Sequence, residues 1–199
     1  MKTEIVISLC AAAALLTACG KKENAADTAS APTAAAAPVP AEAPPPAETP
    51  PAPAVAAQLT PTQGNTAGGD LTLTAEGDKV HVTGTLQGLK PNSEFGFHIH
   101  EKGDCSSPDA SSAGGHFNPT NTEHGDPQGA MHHGGDMLNA KSDAQGMAQV
   151  DVVASGVSLT SGQPDDVHGK AIVLHEKRDD YKTQPSGDSG KRIACGVIH

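Results

Sequence analysis

Aromatic residues are scarce. The 199-residue chain has three Phe, one Tyr and no Trp, so Phe95, Phe97, Phe117 and Tyr181 are the whole set. Any core must be filled with Val, Leu, Ile and Ala. Long apolar runs are as rare: the only one, Ile5 to Leu16, has 12 residues, which excludes a multi-span membrane protein. Positive charge is short as well, with 13 Lys and Arg against 23 Asp and Glu and a formal charge of -10. So acidic a chain is not built to neutralise phosphates, and nucleic acid is excluded as its main partner. Helical periodicity is nearly absent. What the chain does have is histidine: ten residues, all between His81 and His199. Imidazole is the commonest metal ligand, so this crowding is a first pointer to metal.

Three segments differ in composition. Residues 1–19 have the pattern of an export signal: Lys2, a short apolar stretch, then Leu16-Thr17-Ala18-Cys19. The last four residues resemble the lipobox of bacterial lipoproteins, which implies cleavage before Cys19 and acylation of that residue. Two or more acyl chains anchor a protein stably, whereas one is marginal. Gly20 follows the Cys in place of the Asp that signals inner-membrane retention. The expectation is an exported, lipid-anchored protein of the bacterial cell envelope, on the periplasmic side of the outer membrane. Residues 20–57 are low in complexity, with nine of the 16 Pro between Pro32 and Pro53 and Ala filling most of the rest. Such a stretch lacks the large apolar side chains that offset ordering entropy, and it reads as a disordered tether.

Residues 58–199 suit one domain with ten Lys and Arg against 18 Asp and Glu. Strand alternation is frequent: Asp70–Thr74 and Lys79–Leu86 have period two, with Glu76-Gly77-Asp78 as the turn between them. Further strands are expected at Glu94–Glu101, Met137–Lys141, Met147–Val153, Lys170–Glu176 and Cys195–Ile198. Short strands divided by Gly and Pro imply an all-β sandwich or barrel. Gly103–Gly135 and Lys177–Arg192 hold no convincing strand, and loops of that length in a small domain tend to be functional.

Cys10 leaves with the signal and Cys19 takes lipid, so Cys105 and Cys195 remain as an even pair in an exported chain. A disulfide between them would close a loop of about 90 residues, worth roughly 2–5 kcal/mol. Metal ligation is the competing reading, disfavoured because each Cys stands alone. His98-Ile99-His100 puts two imidazoles on one face of a strand. His116, His124, His133 and Asp136 form a set of three imidazoles and a carboxylate that suits closed, four-coordinate zinc. His175 ends the strand Ala171–Leu174 and adds an imidazole to His98 and His100; four nitrogen donors without a thiolate suit copper(II).

Six ordered motifs now carry a resemblance. They are Gly96-Phe97-His98-Ile99-His100-Glu101, Gly103-Asp104-Cys105, Ser112–Pro119 with Gly114-Gly115-His116-Phe117-Asn118, Gly135-Asp136, Val173-Leu174-His175-Glu176 and Arg192–Ile198 with Ala194-Cys195-Gly196. In order and spacing they resemble copper/zinc superoxide dismutase from about residue 58 to the end. The family fold is an eight-stranded Greek-key β-sandwich or flattened barrel with two long functional loops. The resemblance implies one copper ion on His98, His100, His116 and His175, and one zinc ion on His116, His124, His133 and Asp136. His116 would bridge both metals as an imidazolate and take part in proton transfer. It further implies a Cys105–Cys195 disulfide, a carboxylate at Asp179 linking a copper-side His to a zinc-side His, and Arg192 as the catalytic cation that attracts superoxide. The activity implied is dismutation of superoxide to oxygen and hydrogen peroxide, an antioxidant function.

Cys105 lies five residues after His100 and eleven before His116, a placement that resembles the bacterial branch of the family. That leaves the loop path and a homodimer surface open. His132 competes with His133 as zinc ligand, and His133 is chosen for its three-residue separation from Asp136. His81, His168 and His132 read as structural or surface residues, and His199 as a mobile terminus. Phe97 and Phe117 read as packing behind the site. A non-enzymatic copper- and zinc-binding envelope lipoprotein is the alternative function; a relative without turnover is expected to lack one of the ligands or Arg192.

Overall fold

Residues 54–199 are described by a computed structural model of the chain. The signal segment, Cys19 and nearly all of the Ala/Pro-rich tether lie outside the described residues. Nine strands follow: β1 (Ala54–Pro61), β2 (Gly68–Glu76), β3 (Lys79–Gln87), β4 (Glu94–Phe95), β5 (Phe97–His100), β6 (Ala140–Lys141), β7 (Ala148–Ser155), β8 (Ala171–His175) and β9 (Arg192–Val197). One turn of 3-10 helix at Ser111–Ala113 is the only helical element among the described residues. Strands β4 and β5 are one run of chain broken at Gly96, so eight extended runs build the all-β fold.

The seven-strand order is β5-β8-β9-β1-β2-β3-β7, antiparallel throughout, with β4 paired to β6 beside it. β1 makes the corner. Its first six residues pair with β2, while Thr60 and Pro61 pair with β9. A strand that changes partners in this way lets one sheet curl into two facing layers. Between the layers lies an apolar core: Leu59, Leu71, Leu73, Val80, Val82 and Leu86 against Phe97, Ile99, Ile172, Leu174 and Ile198. The β2–β3 hairpin closes through a Glu76–Lys79 pair, and Gly77 takes the positive φ (62°) such a two-residue turn needs.

β5 and β8 are buried on both faces along their whole length, and β9 over its four central residues. One face of β8, Ile172 and Leu174, joins the core. The other, Ala171 and Val173, packs with Ala110, Ala113 and Cys195 under the long loop after β5. The Cys105–Cys195 disulfide ties that loop to β9 across 90 residues of sequence, with Cα atoms 5.8 Å apart.

Several sequence expectations shift. The first strand starts at Ala54, four residues inside the stretch read as tether, because alternation in Ala57 and Leu59 suffices to face the core. The strand expected at Glu94–Glu101 breaks at Gly96, whose N–H bonds the Lys177 carbonyl and whose carbonyl accepts from His175. The strand expected at Met137–Lys141 shrinks to Ala140–Lys141, since the Asn139 N–H is given to the Tyr181 hydroxyl instead of a ladder. His199 is not a loose end: its N–H and C=O both pair with Ala56.

Candidate metal centre

Alternation along β5 sends Phe97 and Ile99 into the core and His98 and His100 to the outer face. β8 brings His175 to the same face at its end, next to the bulge with β9. Two loop segments then lie along β5. His116 bridges to His100 and Asp136 bridges to His98. Backbone bonds fix this arrangement: Phe117 N–H to Ile99 O (2.8 Å), Ile99 N–H to Gly135 O (2.8 Å) and Gly135 N–H to Phe117 O (2.7 Å). Three chains meet so closely at Gly135 that a Cβ there would collide with the Ile99 carbonyl oxygen. The sequence motifs around His116 and Asp136 are thus short add-on strands that aim ligands.

Two donor sets result. His98, His100, His116 and His175 form one, and His116, His124, His133 and Asp136 the other; within each set the donor atoms lie within 4.8 Å of one another. The structure brings together every residue that the family resemblance placed on either metal. His133, not His132, joins the second set, while His132 turns its Nδ1 to the His133 carbonyl at 2.7 Å.

Hydrogen-bond partners assign the ring nitrogens. His100 Nδ1 donates to Gly114 O (2.9 Å) and His175 Nδ1 to Gly190 O (3.2 Å), so their Nε2 atoms, 3.4 Å apart, face each other as acceptors. Two lone pairs facing each other repel unless a cation lies between them. His98 gives Nε2 to Asp179 Oδ2 (2.7 Å), leaving Nδ1 buried and without a partner. His116 places Nδ1 2.8 Å from Asp136 Oδ1, while its buried Nε2 also has no partner. Asp136 Oδ1 is further ringed by His124 Nδ1 at 3.0 Å and His133 Nδ1 at 3.4 Å. Its Oδ2 accepts the N–H groups of Gly125 (3.1 Å) and His133 (2.9 Å). Buried nitrogens without partners cost stability unless something binds them. The two donor sets fit two cations: an all-imidazole set suits copper, and three imidazoles with a carboxylate suit zinc.

Asp179 links the two sets. It is fully buried and spans His98 Nε2 and His124 Nε2 (3.1 Å) with its two oxygens. Asn139 holds Asp179 by the backbone, accepting its N–H (2.9 Å) and donating to its C=O (3.0 Å). Electrostatics without metal follow from this packing. Burial pushes His98, His100 and His175 below the usual imidazole range. Burial, aided by neighbouring His98, lowers His116 to about 4. Burial works the same way on His124, but bonds to Asp136 and Asp179 outweigh it and raise that ring to about 9. For Asp136 and Asp179 burial is likewise overcome, by the surrounding imidazoles, and both carboxyls stay well below their ordinary range.

Arg192 sits at the start of β9, half-buried, with its guanidinium bonded to Ala110 O and Gly114 O, each at 2.6 Å. Gly114 O therefore serves Arg192 and His100 together. Ala110 presents its carbonyl from a left-handed conformation (φ 58°) that Ala rarely takes. A cavity of about 360 Å³ opens here, lined by His100, His116, His133, His175, Pro185 and Arg192 among others. His81 instead pairs with Asp151 (2.7 Å) on an outer face, and His168 pairs with Asp166 (2.6 Å) in a turn. Sequence reasoning did not single out Asn139, Gln184 or the carbonyls of Ala110, Gly114 and Gly190. Amides and carbonyls carry no motif of their own, and only their fold neighbours reveal them.

Comparison with known proteins agrees with the geometry. The family model described as copper/zinc superoxide dismutase matches residues 67–198. "Superoxide dismutase [Cu-Zn] 2" of Aquifex aeolicus is 43% identical over 148 residues, covering 71% of this chain and 84% of that protein. "Superoxide dismutase-like protein YojM" of Bacillus subtilis is 44% identical over 126 residues, covering 62% of this chain and 63% of that protein. A crystal structure of a SOD-like protein from Bacillus subtilis superposes with a TM-score of 0.66 at 38% identity, covering 72% of this chain and 97% of that one. With its two donor sets, disulfide and β-sandwich, the chain belongs to the copper/zinc superoxide dismutase family.

Proposed function

We propose that this protein dismutes superoxide to oxygen and hydrogen peroxide, holding copper with His98, His100, His116 and His175 and zinc with His116, His124, His133 and Asp136. Bound copper supplies one-electron chemistry in both directions, and zinc, which has no redox states, supplies charge and rigidity. The chain does the rest. Arg192, anchored at two carbonyls beside His100, attracts the anion and orients it at the cavity floor. His116 Nε2 is the atom that holds a proton for the product and gives it up, because Nδ1 is committed to the Asp136 side. Asp179 keeps His98 in one orientation and tautomer, so that Nδ1 always faces inward.

The observation that carries this reading is that His116 belongs to both donor sets, with its Nδ1 beside Asp136 Oδ1 and His133 Nδ1 and its Nε2 buried without a partner. The test is superoxide decay by full-length protein, compared between metal-free, zinc-only and copper-plus-zinc forms. Acceleration only in the copper-containing form is expected. Uptake of both ions without acceleration would replace this reading by the non-enzymatic metal-binding envelope lipoprotein.

The same proposal extends to location. The lipobox-like Leu16–Cys19 and the Pro-rich segment support a domain tethered by an acylated Cys19 at the periplasmic side of the outer membrane, removing superoxide outside the cytoplasm. A Cys19→Ala chain expressed in a two-membrane bacterium should leave the membrane fraction; retention there would contradict the anchor.

A further inference from the structure

Among the seven residues of the two donor sets, His124 is held in an unusual way. It lies on no strand, and its backbone N–H and C=O are both taken by one side chain from another loop. Gln184 Oε1 accepts the His124 N–H (3.0 Å), and Gln184 Nε2 donates to the His124 carbonyl (2.8 Å). The amide thus imitates a strand neighbour across 60 residues of sequence. The other ligands have closer support: β5 and β8 carry His98, His100 and His175, bridges to β5 hold His116 and Asp136, and a local turn with Asp136 holds His133. The loop that bears Gln184 also meets the His124 ring. Asp179 Oδ1 is 3.1 Å from Nε2, and Gly187, at φ 65°, packs so closely that a Cβ would collide with the Asp179 carboxylate.

We propose that Gln184 is a positioning residue for zinc, clamping the His124 backbone so that Nδ1 stays in the second donor set. The inference rests on the reading of His116, His124, His133 and Asp136 as the zinc site. Coupling is reciprocal: a loop that raises zinc affinity is itself restrained when zinc binds. That loop, Lys177–Arg192, carries five Lys and Arg against three Asp, so zinc also restrains the cations near the cavity.

The test is zinc titration of metal-free, full-length protein against a competing chelator, together with hydrogen exchange at the His124 amide. The chains are wild type, Gln184→Ala, Gln184→Glu and, as a control in the same loop, Asp188→Asn, whose exposed carboxylate lies 3.7 Å from Lys177 Nζ. Gln184→Ala should bind zinc about 10–100-fold more weakly, the usual effect of losing an outer orienting group. Its His124 amide should exchange faster even without zinc. Gln184→Glu should not rescue, since its second oxygen faces the His124 carbonyl. Asp188→Asn should match wild type. Cobalt(II) placed in the site should give an altered visible spectrum in Gln184→Ala and Gln184→Glu but not in Asp188→Asn. Unchanged zinc affinity and exchange in Gln184→Ala would overturn the clamp, as would equal weakening by Asp188→Asn. No zinc uptake by wild type would overturn the zinc reading beneath it.

Discussion

The two layers of this sandwich are built on opposite terms. β2, β3 and β7 bury one face and leave the other to water: Leu71 and Leu73 point inward while Asp70 and Thr72 point out. β5 and β8 bury both faces, and on the second face His98, His100 and His175 lie almost wholly out of solvent beside apolar Ala171 and Val173. Burying polar groups without partners costs several kcal/mol by general estimate (~2–7 for one group in an apolar medium). The first layer gains stability from apolar burial. The second holds His98 Nδ1 and His116 Nε2 buried without hydrogen-bond partners, an arrangement that a bound cation would stabilise. The difference teaches that stability and function are divided between the layers, with β1 joining them.

The division can be broken from the functional side first. His116→Ala removes the shared donor of both sets; loss of both metals and a rate loss of roughly 10²–10⁴-fold or more are expected, read by metal analysis with superoxide decay. A variant that kept both ions and its rate would end the account of this layer. From the structural side, Leu73→Ala in β2 should cost about 2–5 kcal/mol of stability by denaturant unfolding. Metal stoichiometry should stay unchanged in it, since Leu73 belongs to the apolar core cluster and to neither donor set.

Arg192→Ala should slow turnover by about tenfold or more while both ions stay bound, because guanidinium attracts anions and does not ligate metals. Copper loss in that chain would place Arg192 in the wrong role.

A pH profile of the metal-free protein sharpens the same contrast. Imidazoles held below their free value of 6.5 (His98, His100, His116, His175) are buried neutral, and the unfolded chain binds protons more readily there. Their contribution is present above about pH 6.5 and is lost as pH falls toward about 4, the value for His116. His124 runs the other way: raised to about 9, it stabilises fully below 6.5 and less as pH rises through 9. The melting temperature should peak near neutrality and fall on both sides; a flat profile would contradict the buried network. Smallest is the effect of salt. Superoxide decay should slow as ionic strength rises, since exposed charges act over about a Debye length of 10 Å at 0.1 M. A salt-independent rate would remove steering by the Lys177–Arg192 loop.

The strands of the first layer were legible because alternation needs only one wet face. Lys79–Leu86 could be read by period two, and β3 runs Lys79–Gln87. Alternation could not show why Glu94–Glu101 breaks, since the cause is a backbone contact from Lys177, 81 residues beyond Gly96. In the site, imidazoles and carboxylates announced themselves by type and spacing, and the family likeness sorted them into sets. The holders did not: Asn139 and Gln184 act through amides on the backbones of Asp179 and His124, and nothing in their surroundings along the chain marks them.

The central claim concerns one ring. A crystal structure of the chain loaded with copper and zinc, with anomalous scattering recorded at both absorption edges, would test it most directly. The account predicts copper at His116 Nε2 and zinc at His116 Nδ1 in the same molecule. Two ions of which His116 touches one, or neither, would contradict it.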